Sequence, residues 1–516
     1  MPVGRQIIDG REYVYEYKNV WNKDKKRSEQ KREYIGRIID GEFVPNKKYL
    51  LRQAGNQQKE KSKSRFFAGA TYLFDQVGEA TGVAEDIRVS FPRFYKEILS
   101  LAYYLALEPN SPMYRFHRWA RTHAHPLGKD LASQRISELL PLITEDAKAS
   151  FFERQSKRRA ETEYLFYDST SISSYSEQLK QVKYGHNKDG DALGQINLAM
   201  LLGQESGLPV YYRKLPGNIT DVMTIEHLLS DMTHLDLQKV CLVMDRGFYS
   251  EKNIKALFAQ RHAFILGAKI SLVRVQEQLD LVRPDFDHRK NYHSGTGLFM
   301  MTEKVNWVKT KSKGSPSSSS EQWVYMHMYY NEQMATDEKM RLNRMLDALE
   351  ESTRSKKNQA KQKRLEKYFE QVDSPEKIRP NQLAIDKRRK NFGYFVLLSN
   401  DISDPVKALK IYRAKDMIEK AFSDLKSRLN LRRSSVSSEE NLEGKLFIQF
   451  VALIYLLYVK RIMDSAGLFK NYTLQEMLDE LDVIEKFEQP GRTAYYGEIT
   501  KKQKKLYETF GFKPPT

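Results

Sequence analysis

Twice in this chain an apolar run ends in a carboxylate. TEYLFYDST places Asp168 after Leu-Phe-Tyr, and KVCLVMDRGFYS places Asp245 after Leu-Val-Met. In open α/β sheets, ligands gather at the carboxyl ends of strands, where no helix blocks access. Two carboxylates brought side by side repel, and burial raises the cost, so such a pair is stable mainly with a cation between its members. Alone, either aspartate reads as a turn cap. A third acid, Glu419, lies in IYRAKDMIEKAFSDLKSRL. If one helix runs through this segment, Tyr412, Lys415, Glu419 and Lys426 point within about 60° of one another at 100° per residue. Met417, Ile418, Ala421, Phe422, Leu425 and Leu429 occupy the neighbouring face, suited to packing on a sheet. The same pattern describes an amphipathic helix with a solvated charged face, and Asp416, Lys420 and Asp424 also point outward.

The elements that must position these acids follow from hydrophobic period. TEYLFYDST, LGQINLAMLLG and LPVYYRKL read as three strands with short turns, the first ending at Asp168. GNITD leads into the helix VMTIEHLLSDM, followed by the strand KVCLVMD, the helix EKNIKALFAQ and the strand AFILGAK. Three strands and then β-α-β is the order of a ribonuclease-H-like core, so the predicted class is α/β, a mixed sheet with flanking helices. Upstream, REYVYEYKNVW and REYIGRIIDGEFV alternate as hairpins do, and Phe94, Ile98, Leu101 and Leu105 form a helical stripe. Downstream, VNWVKTK and EQWVYMHMYY read as strands on either side of the low-complexity loop KGSPSSSS. A charged helix with Leu342, Met345, Leu346 and Leu349 on one face follows, with a basic stretch over 356–364. The strand GYFVLLSN then returns to the core. The predicted division is a β-hairpin region (1–75), a helical region with possible DNA binding (76–158), a first core part (159–270), an inserted β-rich and helical domain (271–390), a second core part (391–465) and a C-terminal helical tail (466–516).

Composition narrows the partners. The 516 residues carry 85 Lys+Arg against 67 Asp+Glu, a formal charge of +18. A soluble chain this basic usually meets a polyanion, nucleic acid being the commonest, although a solubilising surface has the same composition. The runs KDKKR, DKRRK and KKQKK spread the excess over three places. The single cysteine, Cys241, sits in an apolar run and reads as a small buried hydrophobe, which excludes disulfides and Cys-based zinc sites. The N-terminus has no apolar signal core, giving an expectation of cytoplasmic location. Leu446 to Val459, the most apolar segment, contains Gln449 and reads as a buried helix with no membrane role. His123 and His125 lack accompanying ligands and read as a solvated loop; Trp307 and Trp323 read as sheet packing.

Taken together, these motifs resemble the DDE insertion-sequence transposases that carry a Y-x2-R-x3-E-x6-K signature around the third acid. Tyr412-x2-Lys415-x3-Glu419-x6-Lys426 has that spacing, with lysine in place of the arginine. GLPVYYRKLPGNITD followed by VMDRGFYSEKNI is similar to the family's G-x-P … GN-x2-D … D-R-G-[FY]-x-S, and YDST followed by YGHNKDGDALGQINLAML resembles its first-acid region. The resemblance covers roughly 160–270 and 390–460. It implies that Asp168, Asp245 and Glu419 are a catalytic triad holding two Mg²⁺ or Mn²⁺ ions, since oxygen-only donors suit those metals rather than zinc. It implies double-stranded DNA as partner, both the element's terminal inverted repeats and the target, with a homodimer assembled on DNA. Lys426 would hold a backbone phosphate near the metals, and Tyr412 and Lys415 would position the strand end. Lysine at 415 keeps the charge but loses the bidentate fork of arginine. Two rival readings stay open: a DNA-binding relic without activity, and a metal-dependent nuclease that does not transfer strands.

Overall fold

The computed structural model describes residues 2–22, 27–53, 64–159, 163–176, 178–235, 237, 240–307, 322–352, 366–372, 374–434, 436, 438–489 and 492–516. The loop KGSPSSSS and the basic stretch 356–364 lie outside them, as does most of the KDKKR run.

A mixed sheet organises the molecule. From one edge its strands run Tyr292–His293, Leu298–Asn306, Trp323–Tyr330, Tyr394–Ser399, Ala263–Ala268, Cys241–Met244, Tyr164–Ser174, Gln195–Gly203 and Pro209–Pro216, with Arg433–Ser434 pairing alongside Tyr164–Ser174. Tyr164–Ser174, Cys241–Met244 and Ala263–Ala268 are parallel, and Gln195–Gly203 and Pro209–Pro216 are antiparallel neighbours. The class is therefore mixed α/β, as expected. Cys241–Met244 and Tyr164–Ser174 are central strands covered on both faces, which is why Leu242 to Met244 and Leu165 to Tyr167 read as unbroken apolar runs rather than alternating ones. Leu298–Asn306 and Trp323–Tyr330, within the 271–390 stretch, continue this sheet through Tyr394–Ser399.

Behind the sheet runs the 27-residue helix Glu439–Ser465, which is apolar nearly all round and correspondingly buried. Its length and composition would suffice to cross a membrane, but 72% of its most apolar window is buried inside the fold. It packs against the helix Tyr95–Leu107, and Phe447 meets Phe91 and Phe151 with ring centroids 5.0 and 5.3 Å apart. Phe450 meets Phe152 and Tyr212 in the same way. The helical region over 76–158 is thus built into the core behind the sheet.

At the N-terminus, Val3–Ile8, Arg11–Asn22, Arg27–Ile39 and Glu42–Pro45 form an antiparallel sheet. Two of its turns are Asp9-Gly10 and Asp40-Gly41, all four residues at positive φ, the two-residue turn whose twist matches that of the strands it joins.

His123 and His125 do not form a solvated loop. The His123 ring stacks on Trp119 at 4.6 Å and its Nε2 lies 3.0 Å from Asp482, while burial pulls His125 down to about 4. Packing onto a tryptophan, invisible in an H-x-H spacing, decides their place. Cys241 is partly buried, with its thiol pushed up to about 12 by desolvation.

Candidate active site

Register brings the first two acids together. Along the parallel pair, Tyr164 stands opposite Cys241 and Tyr167 opposite Met244, so Asp168 and Asp245 are the next residues of their strands. Cys241–Met244 stops there and the chain turns away through Arg246–Phe248. Asp168, however, is the fifth residue of an eleven-residue strand, not its last. The Ser/Thr-rich run after it has turn-like composition but stays extended because it pairs with Gln195–Gly203.

The third acid arrives differently from the expectation as well. The segment 411–429 is two helices, Pro405–Arg413 and Asp416–Ser427, joined by a turn at Ala414–Lys415. Tyr412 belongs to the first, Glu419 and Lys426 to the second, and Lys415 stands at the second helix's N-cap. Leu429 lies beyond the helix end. One continuous 100° wheel therefore does not describe the four polar residues. The turn buries Lys415 to 7% exposure, with its Nζ 3.7 Å from Asp168 Oδ2 and 2.9 Å from Glu419 Oε1. The Tyr412 hydroxyl donates to Asp245 Oδ1 at 3.0 Å. Room for this contact comes from Gly267 on the neighbouring strand, where a Cβ would come within 2.9 Å of both the Tyr412 hydroxyl and the Arg246 backbone nitrogen.

Asp168 is 9% exposed, and burial holds its carboxyl above the ordinary range, opposed by the ammonium groups of Lys188 and Lys415. Burial pulls Lys415 down, but Asp168, Glu419 and Asp245 outweigh it and leave its ammonium above the usual lysine range. Asp168 and Glu419 therefore pair with one buried cation, while Asp245 is held by Tyr412. Tyr412 is held well above the usual phenol range, first by burial and then by the Asp245 carboxylate.

Asp168, Lys188, Asp189, Glu419, Lys426 and Arg432 line an open cleft of about 740 Å³. Lys426 is not a solvated helix residue: its Nζ donates to Asp189 Oδ2 at 2.7 Å and only 13% of its side chain is exposed. Sequence reasoning missed two neighbours. Lys188 lies 3.7 Å from Asp168 Oδ1 and 3.5 Å from Asp221 Oδ2, and donates to the Ser169 carbonyl at 2.7 Å. Asp221, first residue of the helix Asp221–His234, accepts from the Ser169 hydroxyl at 2.6 Å. The signals available were the charged turn NKDGD, close in sequence to the first acid, and the helix-opening aspartate of GNITD.

The donor set is all oxygen, which suits Mg²⁺ or Mn²⁺. Among the described residues no three acidic, histidine or cysteine side chains are grouped closely enough to hold one ion, and the Lys415 ammonium pairs with both Asp168 and Glu419.

A family model of the transposase DDE domain matches residues 159–457. Comparison with curated proteins yields no match. Among solved structures, the chain is similar to a piggyBac transposase in a synaptic complex with hairpin DNA, at 11% identity over 80% of this chain and 70% of that one, with a TM-score of 0.35. The family match takes in more than half of the 516 residues, and the chain belongs to the DDE transposase family.

Proposed function

We propose that this protein is an insertion-sequence transposase that cleaves DNA at the element's ends and transfers the freed strand into target DNA. The observation that carries the reading is how three separate elements bring the acids together: Lys415 pairs with both Asp168 and Glu419, and Asp245, next to Asp168 by strand register, is held by Tyr412 just before Lys415 in the chain. Acids gathered this way need positive charge to stay together. The strand order, with Tyr164–Ser174 flanked by an antiparallel pair on one side and two parallel strands on the other, supports a ribonuclease-H-like core.

Asp168, Asp245 and Glu419 would hold Mg²⁺ or Mn²⁺, two ions in this reading, with Lys415 moving aside. Bound there, the metal would supply Lewis-acid activation of an attacking hydroxyl and charge neutralisation at the leaving oxygen. The chain's own groups do the rest. Tyr412 holds the Asp245 carboxylate in a fixed orientation through its hydroxyl. Lys426, seven residues beyond Glu419 on the same helix, offers an ammonium to a backbone phosphate, which sets register without reading bases. Arg432 adds a third cation to the cleft beside Lys188 and Lys426, and the overall charge of +18 favours a polyanion along its approaches. Strand transfer by two joined ends implies a homodimer on DNA.

A strand-transfer assay with a pre-cut end tests the proposal. Joined product in Mg²⁺ that disappears in Asp168→Ala supports it. Hydrolysis without joining would reduce the protein to a nuclease, and DNA binding without either would make it a relic.

A further inference from the structure

The turn 184–191, YGHNKDGD, places one charge of each sign in the cleft, and each sits against a group of opposite charge that the reaction needs. Lys188 lies on the acid side: its ammonium is 3.7 Å from Asp168 Oδ1 while Lys415 is 3.7 Å from Asp168 Oδ2. Both oxygens of the central acid therefore face an ammonium. Asp189, the next residue, lies on the basic side, where its carboxylate takes a hydrogen bond from Lys426 at 2.7 Å. Two residues on, Asp191 lies 3.2 Å from Arg433 and accepts from the Ser173 hydroxyl at 2.9 Å. Asn187 also donates to Ser173, at 3.1 Å, and Lys188 to the Ser169 carbonyl. The turn is thus fastened to the Asp168 strand at several points, and its charges are placed by the fold rather than left on free side chains.

The alternation has a chemical reading. A carboxylate that takes a hydrogen bond from an ammonium presents the charge and acceptor oxygens that a phosphate oxygen presents. An ammonium beside a buried carboxylate supplies the charge compensation that a divalent ion would. We infer that Asp189 occupies the place of a DNA phosphate on Lys426 and that Lys188 occupies part of the metal's place beside Asp168, so that turn 184–191 is displaced when DNA and metal bind, and Lys188 is then released to contact the incoming strand. This makes Lys188 a positioning residue and Asp189 an internal competitor of the substrate. The inference rests on the DNA reading given above.

The probe is a fluorescein-labelled 30-base-pair duplex of mixed sequence, titrated by anisotropy with the full-length protein in EDTA. Asp189→Asn should bind roughly fivefold more tightly than the parent, because Lys426 no longer has to exchange a carboxylate for a phosphate. In a Lys426→Ala background the same change should give less than a twofold gain. Asp416→Asn, which removes an acid paired with Lys420 at 2.6 Å outside the cleft, should also change affinity less than twofold. Without DNA, Lys188→Met should bind Mn²⁺, followed by loss of the free-ion electron paramagnetic resonance signal, roughly three- to tenfold more tightly than both the parent and Lys183→Met. Thermal melts of each variant establish folding. A gain for Asp189→Asn that persists in Lys426→Ala would show a bulk charge effect and overturn the inference. So would unchanged Mn²⁺ affinity in folded Lys188→Met. A parent protein that fails to bind the duplex at any salt would instead overturn the DNA reading itself.

Discussion

Lys415→Met removes the cation that pairs with both Asp168 and Glu419. Lys415 has 8% of its side chain exposed and Asp168 13%, whereas Glu419 has 59%. Glu419 can therefore recover water when its partner goes, and Asp168 cannot. Breaking a buried pair by deleting one partner costs about 3–5 kcal/mol when the survivor has no other compensation. Here Lys188 still faces Asp168 at 3.7 Å, so the expected loss is smaller, about 1–3 kcal/mol at neutral pH in EDTA. A divalent ion should restore much of it. At a free concentration about 100 times its dissociation constant, a ligand of the folded state adds about 2.7 kcal/mol. In the parent protein that gain is reduced by the work of displacing Lys415, so the metal-induced rise in stability should be larger in the variant. Urea unfolding of parent and Lys415→Met, each with EDTA and with Mn²⁺, measures both quantities. Equal stability of the two proteins in EDTA, or equal gains with Mn²⁺, would refute the placing of Lys415 as the acids' counter-ion.

Alanine at Asp168, Asp245 or Glu419 should abolish cleavage while leaving duplex affinity within a fewfold of the parent, and near-normal cleavage by any one variant in Mg²⁺ removes that residue from the triad. Lys426→Ala should slow single-turnover strand transfer and lower the slope of log affinity against log salt by about one, the share of a single phosphate contact; a flat salt dependence in the parent would contradict backbone binding. His327 is fully buried and held down to about 4, by desolvation first, with its Nε2 2.9 Å from the Ile402 carbonyl oxygen. The unfolded chain takes up this proton near pH 6.5 and the folded chain only near 4, so its contribution is present above pH 6.5 and is lost as pH falls through that window. The loss amounts to roughly 3 kcal/mol. His327→Gln should flatten the acid limb of unfolding free energy against pH, and an unchanged limb in a folded variant would show that His327 does not set it.

The strands that carry the acids were legible because burial on both faces leaves an unbroken apolar run, and Leu242 to Met244 and Leu165 to Tyr167 are such runs. Their ends were less legible. Ser169 to Ser174 has the composition of a turn, yet it remains strand because Gln195–Gly203 supplies its hydrogen-bond partners, a long-range pairing that local composition does not encode. The break at Ala414–Lys415 was hidden for a related reason. Neither residue is a helix breaker, and the helical period of 411–429 continues through them. The chain turns there while Lys415 reaches the buried side of Asp168, an ion pair that spans 247 positions of sequence.

Charge shows the limit of sequence reading most clearly. The motif spacing picked out Lys426 and assigned it to a phosphate, but nothing in its own helix indicates that it is paired with Asp189, 237 positions away. Lys188 and Asp189 stand in a turn whose composition predicts only a solvated connection. What gives them a role is fastening: Asn187, Lys188 and Asp191 each bond to the strand that carries Asp168, and Asp189 is thereby presented to the helix that carries Glu419. Acids and bases held in opposition in this way compensate one another across the cleft, and any charged substrate must exchange with those pairs rather than add to bare charges. On the proposed reading, affinity for DNA or metal would be the difference between two sets of charge contacts, so the residues that tune it need not touch the substrate.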